Sequence, residues 1–285
     1  MMECKHNVGS SLDGPEFIND KQRYFASGKG MYQRVVYWVK KLKQEYGLRV
    51  NVMPVLTVNH IGYEKELIDQ YLDLGLSGVY LKYVNVQGPH ERAYSLKFTP
   101  DQYVNFWKKG LEYILEINKN GRFFLEGDTM VMLQNILLDT QDYMCLQRPC
   151  GAGTSMLTVD QKGDIFLCDL GRSIDLMKFG NVITHTYDEV VTSESARMLR
   201  GIASETLPKC NSCVFSGYCG HCAVRSIREH GSPLPEGPDD FECEVALQRW
   251  PYLFKKLMNP SESAIMRSWV KAYRDSKSVE AQDFV

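Results

Sequence analysis

The chain has 285 residues, of which 44% are hydrophobic and 11% aromatic, enough apolar material for one or two cores. A net charge of −2 with no long basic run leaves no electrostatic case for nucleic acid, and no stretch reaches the ~18 apolar residues of a membrane span. "MMECKHNVGSS" has no apolar leader, so the expectation is a cytoplasmic chain whose thiols stay reduced and that binds neither nucleic acid nor membrane.

The first part alternates strand and helix signals. "HNVGSSL" reads as a short strand followed by the turn material "DGPEFINDK". "MYQRVVYWVKKLKQEYG" has helical apolar spacing and ends at Gly47, a C-cap residue. "LRVNVMPVLTV" reads as a buried strand, "EKELIDQYLDLG" as a second amphipathic helix stopped by Gly75, and "SGVYLKYVNV" as another strand. This alternation predicts right-handed βαβ units and a parallel sheet. "TPDQYVNFWKKGLEYILEINKNG" opens with Thr99 as N-cap and Pro100 at the first helical position, and a shorter helix is expected near 128–139.

The second part differs in texture. "SMLTVDQKGDIFLCDL" predicts a hairpin turning at Gln161–Gly163, and "YDEVVTSESARMLRGI" a single helix. "LPKCNSCVFSGYCGHCAV" is loop-rich, and "FECEVALQRWPYLFKKLM" predicts a helix interrupted at Pro251. The stretch from Asn259 adds an amphipathic helix and a frayed polar tail.

Cysteine placement sets the two parts apart. Of nine cysteines only Cys4 precedes residue 145; the others are Cys145, Cys150, Cys168, Cys210, Cys213, Cys219, Cys222 and Cys243. This asymmetry draws a boundary near residue 140. Clustered thiols in a reducing compartment favour zinc or iron–sulfur clusters, each taking four ligands, so eight thiols suit two sites. The run Cys210-x2-Cys213-x5-Cys219-x2-Cys222 alone also fits one compact four-thiolate zinc module, the alternative being a non-catalytic cysteine-rich knot that binds a peptide or protein.

The order Cys150, Gly163-x4-Cys168, Cys210-x2-Cys213-x5-Cys219-x2-Cys222, Cys243 resembles the SPASM domain of radical S-adenosylmethionine enzymes that modify peptides and proteins. The spacing from Cys219 to Cys222 is one residue short of that family's usual x3. Upstream, "SSLDGPEFINDKQRYFASGKGMYQRV" is similar to the family's S-L-D-G-P, H-D-x-x-R and G-K-G segments, with Asn19 where histidine is usual. The segments "LIDQYLDLGLSGVYLKYVNVQG" and "LPKCNSCVFSGYCGHC" look most like the His-Xaa-Ser-system maturases, and the whole is similar to anaerobic sulfatase-maturating enzymes.

The resemblance implies an α/β fold: the C-terminal part of a radical β/α (TIM-like) barrel over 1–140, a SPASM domain with a hairpin and helices over 141–258, and a C-terminal helix and tail over 259–285. It implies two auxiliary 4Fe-4S clusters, one held by Cys145, Cys150, Cys168 and Cys222, the other by Cys210, Cys213, Cys219 and Cys243. Cys145 is alternatively a buried thiol beside an open coordination position. The C-x3-C-x2-C motif that binds the third, radical-generating 4Fe-4S cluster and S-adenosylmethionine is absent from this sequence. The chain therefore reads as the C-terminal portion of a larger maturase, inactive by itself. Its implied partners are a ribosomally made peptide or protein substrate, modified at a C–H bond, and an electron donor such as flavodoxin or ferredoxin.

The resemblance also nominates site residues. Ser11 and Asp13 match positions beside S-adenosylmethionine, and Arg23 is expected to pair with the cofactor carboxylate. Lys82, a charge interrupting an apolar strand run, is expected to point into the barrel toward substrate or cofactor. Read without it, Ser11 and Asp13 are turn residues, Arg23 is a solvated arginine and Lys82 a snorkelling edge lysine. Asp169, directly after Cys168, matches the general base of sulfatase-maturating relatives, or else closes the hairpin before Gly171. His221 lies among the thiols, as a hydrogen-bond partner of a cluster or a bystander.

Overall fold

A computed structural model describes residues 8–48, 50–85, 94–139, 141–172, 174–203, 206–234 and 241–282. His6 and Asn7 of the first expected strand, Val86 of the third and the last residues of the tail lie outside them. The chain packs as two units, the first drawn from Met1–Met130 and Pro251–Val285, the second from Val131–Trp250. No helix among the described residues is long and apolar enough to cross a membrane.

In the first unit, β1 (Val8–Ser11) pairs in parallel with β2 (Val50–Met53), from Val8 opposite Val50 to Ser11 opposite Met53. Two residues of β3 (Gly78–Val79) pair in parallel with β4 (Leu125–Glu126), and a parallel bridge between Leu56 and Tyr83 joins the two pairs. Strands therefore neighbour one another in chain order, an open array of βα units rather than a closed barrel among the described residues. Between them lie α1 (Glu16–Gln22), α2 (Tyr32–Tyr46), α3 (Glu64–Asp73) and α4 (Pro100–Lys119).

The helices end where their chemistry predicts. Gly47 takes a left-handed φ of 61° after α2. Thr99 and Gln102 form a reciprocal capping box, Gln102 N–H to Thr99 Oγ1 at 3.2 Å and Thr99 N–H to Gln102 Oε1 at 2.9 Å. Leu67, Ile68 and Tyr71 of α3 and Trp107, Leu111 and Ile114 of α4 are fully buried.

Two strands differ from the sequence expectation. In β2 only Val50 and Val52 are buried, while Asn51 and Met53 are exposed, because successive side chains point to opposite faces and one face is covered. The run from Ser77 yields only the two-residue β3, because the Leu81 N–H leaves the ladder for the Glu126 carboxylate at 2.9 Å, and the Leu81 carbonyl accepts from the Tyr103 hydroxyl at 2.8 Å.

The C-terminal helices α10 (Phe241–Leu257) and α11 (Pro260–Gln282) follow. Pro251 leaves α10 unbroken: it lies on the exposed side, where water can serve the carbonyl it cannot bond. Past Pro251 the chain packs on α4. Glu262 accepts from Lys119 at 3.0 Å and Lys256 at 3.2 Å, Trp269 donates to Asn118 at 3.4 Å, and Tyr252 meets Trp107 edge-on.

The second unit holds a three-stranded antiparallel sheet, β5 (Thr158–Val159), β6 (Asp164–Phe166) and β7 (Lys178–Asn181). The expected hairpin is β5–β6, turned by Gly163 at φ 82°; β7 is an addition. The single helix expected from Tyr187 is two, α6 (Tyr187–Val191) and α7 (Glu194–Arg200), because the Ser193 hydroxyl accepts from the Ala196 N–H at 3.2 Å and starts a new helix. Helix α5 (Gly127–Leu137) precedes the sheet, and the short α8 (Pro208–Asn211) and α9 (Ala223–His230) flank the cysteine-rich loop. The small core includes Ile165, Leu167, Met177, Phe179 and Val190, with Cys150, Cys168, Cys210 and Cys222 at or in its margin.

Candidate functional site

The eight described cysteines are all thiols outside disulfides; Cys168 is buried and the rest half-buried. The fold gathers them into two groups. Burial pushes the Cys150 thiol up to about 11, opposed by a backbone hydrogen bond at Ala152 and reinforced by repulsion from Cys145 and Cys168. Burial likewise takes Cys222 up to about 12, and the thiols repelling it are Cys145, Cys150 and Cys168. Cys168 is raised by burial first, with Cys145 and Asp169 adding repulsion. In the second group, burial takes Cys219 up to about 12, with Cys210, Cys243 and Cys213 repelling it and a side-chain hydrogen bond from Trp250 opposing.

Four thiols crowded together resist ionising unless cationic iron or zinc offsets their charge, so each group has the donor chemistry of a thiophilic metal centre. Among the described residues, no three His, Cys, Asp or Glu side chains converge to hold one ion. Gly220 lies against the Cys145 loop: a side chain there would put its Cβ 2.0 Å from the Cys145 carbonyl oxygen.

In the first unit, a second polar site forms just beyond β1 and β2. Ser11, half-buried, ends β1, and Asp13 is 1% exposed. The Asp13 carboxylate accepts from Arg23 Nε at 2.8 Å and Nη2 at 3.1 Å, from Gln22 Nε2 at 2.8 Å and from the Val55 N–H at 2.8 Å. Two sequence-nominated residues are thus one bidentate pair, and the Arg23 side chain keeps 30% of its surface exposed. Lys82 is half-buried on the bridge segment, where its carbonyl accepts from the Leu56 N–H at 3.1 Å.

The departure at Asn19 also has a physical role. Asn19 Oδ1 accepts from the Asp13 N–H at 3.1 Å, and Asn19 Nδ2 donates at 3.0 Å to Asp20, whose carboxylate receives the Tyr32 N–H at 2.8 Å at the start of α2. Asp20 fills the place where a Gly30 Cβ would sit, 1.8 Å from its Oδ2, which explains the glycine.

Three residues that sequence reasoning missed complete this region. His60 is buried; its Nδ1 accepts from the Thr57 N–H at 3.0 Å, so Nε2 carries the proton and donates to the Asp13 carbonyl at 2.7 Å. Tyr71 donates to the Leu12 carbonyl at 2.8 Å. Glu126, fully buried, accepts from the Leu81, Asp128 and Thr129 N–H groups and from Trp107, fastening β3 to the start of α5. Only a polar residue within or at the end of an apolar run signalled them.

Asp169 begins a one-turn 3-10 helix after Cys168. Its side chain is 60% exposed and bonds Arg172 at 2.9 Å. His221 Nε2 lies 2.9 Å from the Pro233 carbonyl.

The cysteine-rich unit is of a recognised class: residues 150–214 match the SPASM family, an iron–sulfur cluster-binding domain. Over 268 residues the chain is 22% identical to the cysteine-type anaerobic sulfatase-maturating enzyme of Clostridium perfringens, spanning 91% of this chain and 68% of that enzyme. Its fold is shared with a sulfatase-maturating enzyme, anSMEcpe, solved with bound AdoMet (TM-score 0.78, 18% identity, 95% of this chain and 70% of that one). It is shared more loosely with Streptococcus suis SuiB bound to its precursor peptide SuiA (TM-score 0.55, 18% identity, 83% and 53%). The chain is thus similar to radical S-adenosylmethionine maturases with a SPASM domain, as its cysteine order implied.

Proposed function

We propose that these residues are the C-terminal portion of a radical S-adenosylmethionine maturase that alters a ribosomally made peptide or protein by C–H chemistry. The observation that carries the reading is the sorting of eight thiols into two groups of four. Cys145, Cys150, Cys168 and Cys222 would hold one auxiliary 4Fe-4S cluster within a SPASM domain spanning 141–258, and Cys210, Cys213, Cys219 and Cys243 the other. When bound, such clusters supply one-electron transfer and anchor loops distant in sequence.

The chain's own residues prepare the surroundings. Asp13 fixes the Arg23 guanidinium in one orientation, leaving its exposed edge for the carboxylate of a cofactor, with Ser11 at the end of β1 and Lys82 on the segment bridged to Leu56. Asp169, beside Cys168 and steadied by Arg172, would accept a proton from the substrate. A peptide substrate is supported by the relative solved with its precursor peptide. The electron donor would be a flavodoxin or ferredoxin. The radical cluster would be held outside these 285 residues, which lack C-x3-C-x2-C; S-adenosylmethionine would be bound jointly by that cluster and the Arg23 side, and the isolated chain would not cleave it.

The test is direct. A longer polypeptide carrying these residues behind a segment with C-x3-C-x2-C is given S-adenosylmethionine, a reductant and peptides with Cys, Ser or His-Xaa-Ser repeats. A reductant-dependent mass change in one peptide class, read by mass spectrometry, is the expected result. Cofactor cleavage with no peptide altered across all classes would overturn the maturase reading.

A further inference from the structure

We infer that Asn135 is the positioning residue that makes the two cysteine groups one cooperative cofactor-binding body. The inference rests on the iron–sulfur reading above and adds a residue that lies outside the cysteine pattern and before the matched segment.

Asn135 sits half-buried near the end of α5. Its amide carries two hydrogens, and they go to different loops. Nδ2 donates to the Tyr218 carbonyl at 2.7 Å, one residue before Cys219 of the second group. It donates also, at 3.4 Å, to the Leu146 carbonyl, one residue after Cys145 of the first group. The amide cannot turn over without loss, because Oδ1 is taken by Gln141 Nε2 at 2.7 Å. Gln141 is itself anchored: Oε1 accepts from the Tyr143 N–H at 2.8 Å, and its carbonyl accepts from Gln147 Nε2 at 2.9 Å. A chain of side-chain amides thus sets the direction of one donor pair.

The loops so joined are already in backbone contact at Gly220 and the Cys145 carbonyl. That contact tolerates no side chain, and the Asn135 amide, bonded to both loops, holds the register of one on the other. The loop held there is also the one that runs from one group to the other, through Cys219-Gly220-His221-Cys222. With that shared loop held on the Cys145 loop, ordering one foursome orders the other, and each loses its restraint when the other empties. Groups that orient ligands without touching metal commonly change metal affinity by roughly 10–100-fold.

The experiment follows iron loss from the anaerobically reconstituted 285-residue chain under excess iron chelator, read by the decay of its visible charge-transfer absorbance. The original protein should lose both clusters in a single phase. Asn135→Asp keeps the shape but aims a carboxylate at two carbonyls, and should split the decay into two phases differing by roughly ten-fold, while the iron-free chain still melts in one transition at a lower temperature. Gln141→Leu leaves Asn135 in place without its anchor and should split the decay less, by several-fold, which keeps the inference testable should Asn135→Asp not fold. Single-phase loss in both variants, or two phases already in the original, would overturn the coupling role. A chain that takes up no iron at all would overturn the cluster reading and this inference with it.

Discussion

The Asp13–Arg23 pair gives the sharpest quantitative expectation for the first unit. Asp13→Asn preserves volume but removes the charge and turns an amide toward Arg23 Nε and Gln22 Nε2, both donors at 2.8 Å. Breaking a buried pair typically costs about 3–5 kcal/mol, mostly from the abandoned charge. Arg23 is 30% exposed and can rehydrate, which places the cost near the lower end, about 3 kcal/mol. The Val55 N–H can still find an amide oxygen at position 13, so its 2.8 Å bond is not counted as lost. For a body of this size the result is a melting temperature lower by about 6–12 °C. Thermal unfolding followed by far-ultraviolet circular dichroism measures it. A shift below about 2 °C would mean that water already serves Arg23 and that the pair orders nothing.

Burial holds His60 below the ordinary histidine range, against the opposing carbonyls of Asp13 and Thr57. The unfolded chain therefore takes up a proton first as pH falls below about 6.5, so stability falls from there toward acid, and His60→Gln should flatten that loss in urea titrations between about pH 7 and 5; parallel pH profiles would refute the assignment. In a polypeptide that also carries the radical cluster, Asp169→Asn should keep its iron and its uncoupled cofactor cleavage while peptide modification falls by roughly 10²–10⁴-fold; unchanged modification would reduce Asp169 to an ion-pair partner of Arg172.

Much of this molecule is written locally. Helices α2, α3 and α4 follow from apolar period, Thr99-Pro100 and the glycines at 47 and 75, all interactions within a few residues. What escaped a sequence reading depends on distant partners. β3 is short because Glu126 and Tyr103 capture Leu81. β7 is hidden because "KFGN" lacks strand alternation, and its Gly180 is required by His185 and Val190, which a Cβ would approach to 3.1 Å. The cysteines show both cases: their spacing announces a metal-binding knot, but no local rule tells Cys219 from Cys222, which face different groups three residues apart. His60 and Tyr71 gave no motif at all, since their task is to bond the carbonyls of Asp13 and Leu12.

Metal analysis of three proteins bears most directly on the central claim. The chain, Cys168→Ala and Cys213→Ala are reconstituted anaerobically, then assayed for iron, acid-labile sulfide and zinc, with Mössbauer spectra to identify cluster type. Two cubanes predict about eight irons per original chain and about four in each variant, with the surviving cluster differing between the two. One zinc per chain with no iron, or the same cluster surviving in both variants, would contradict the two-centre account.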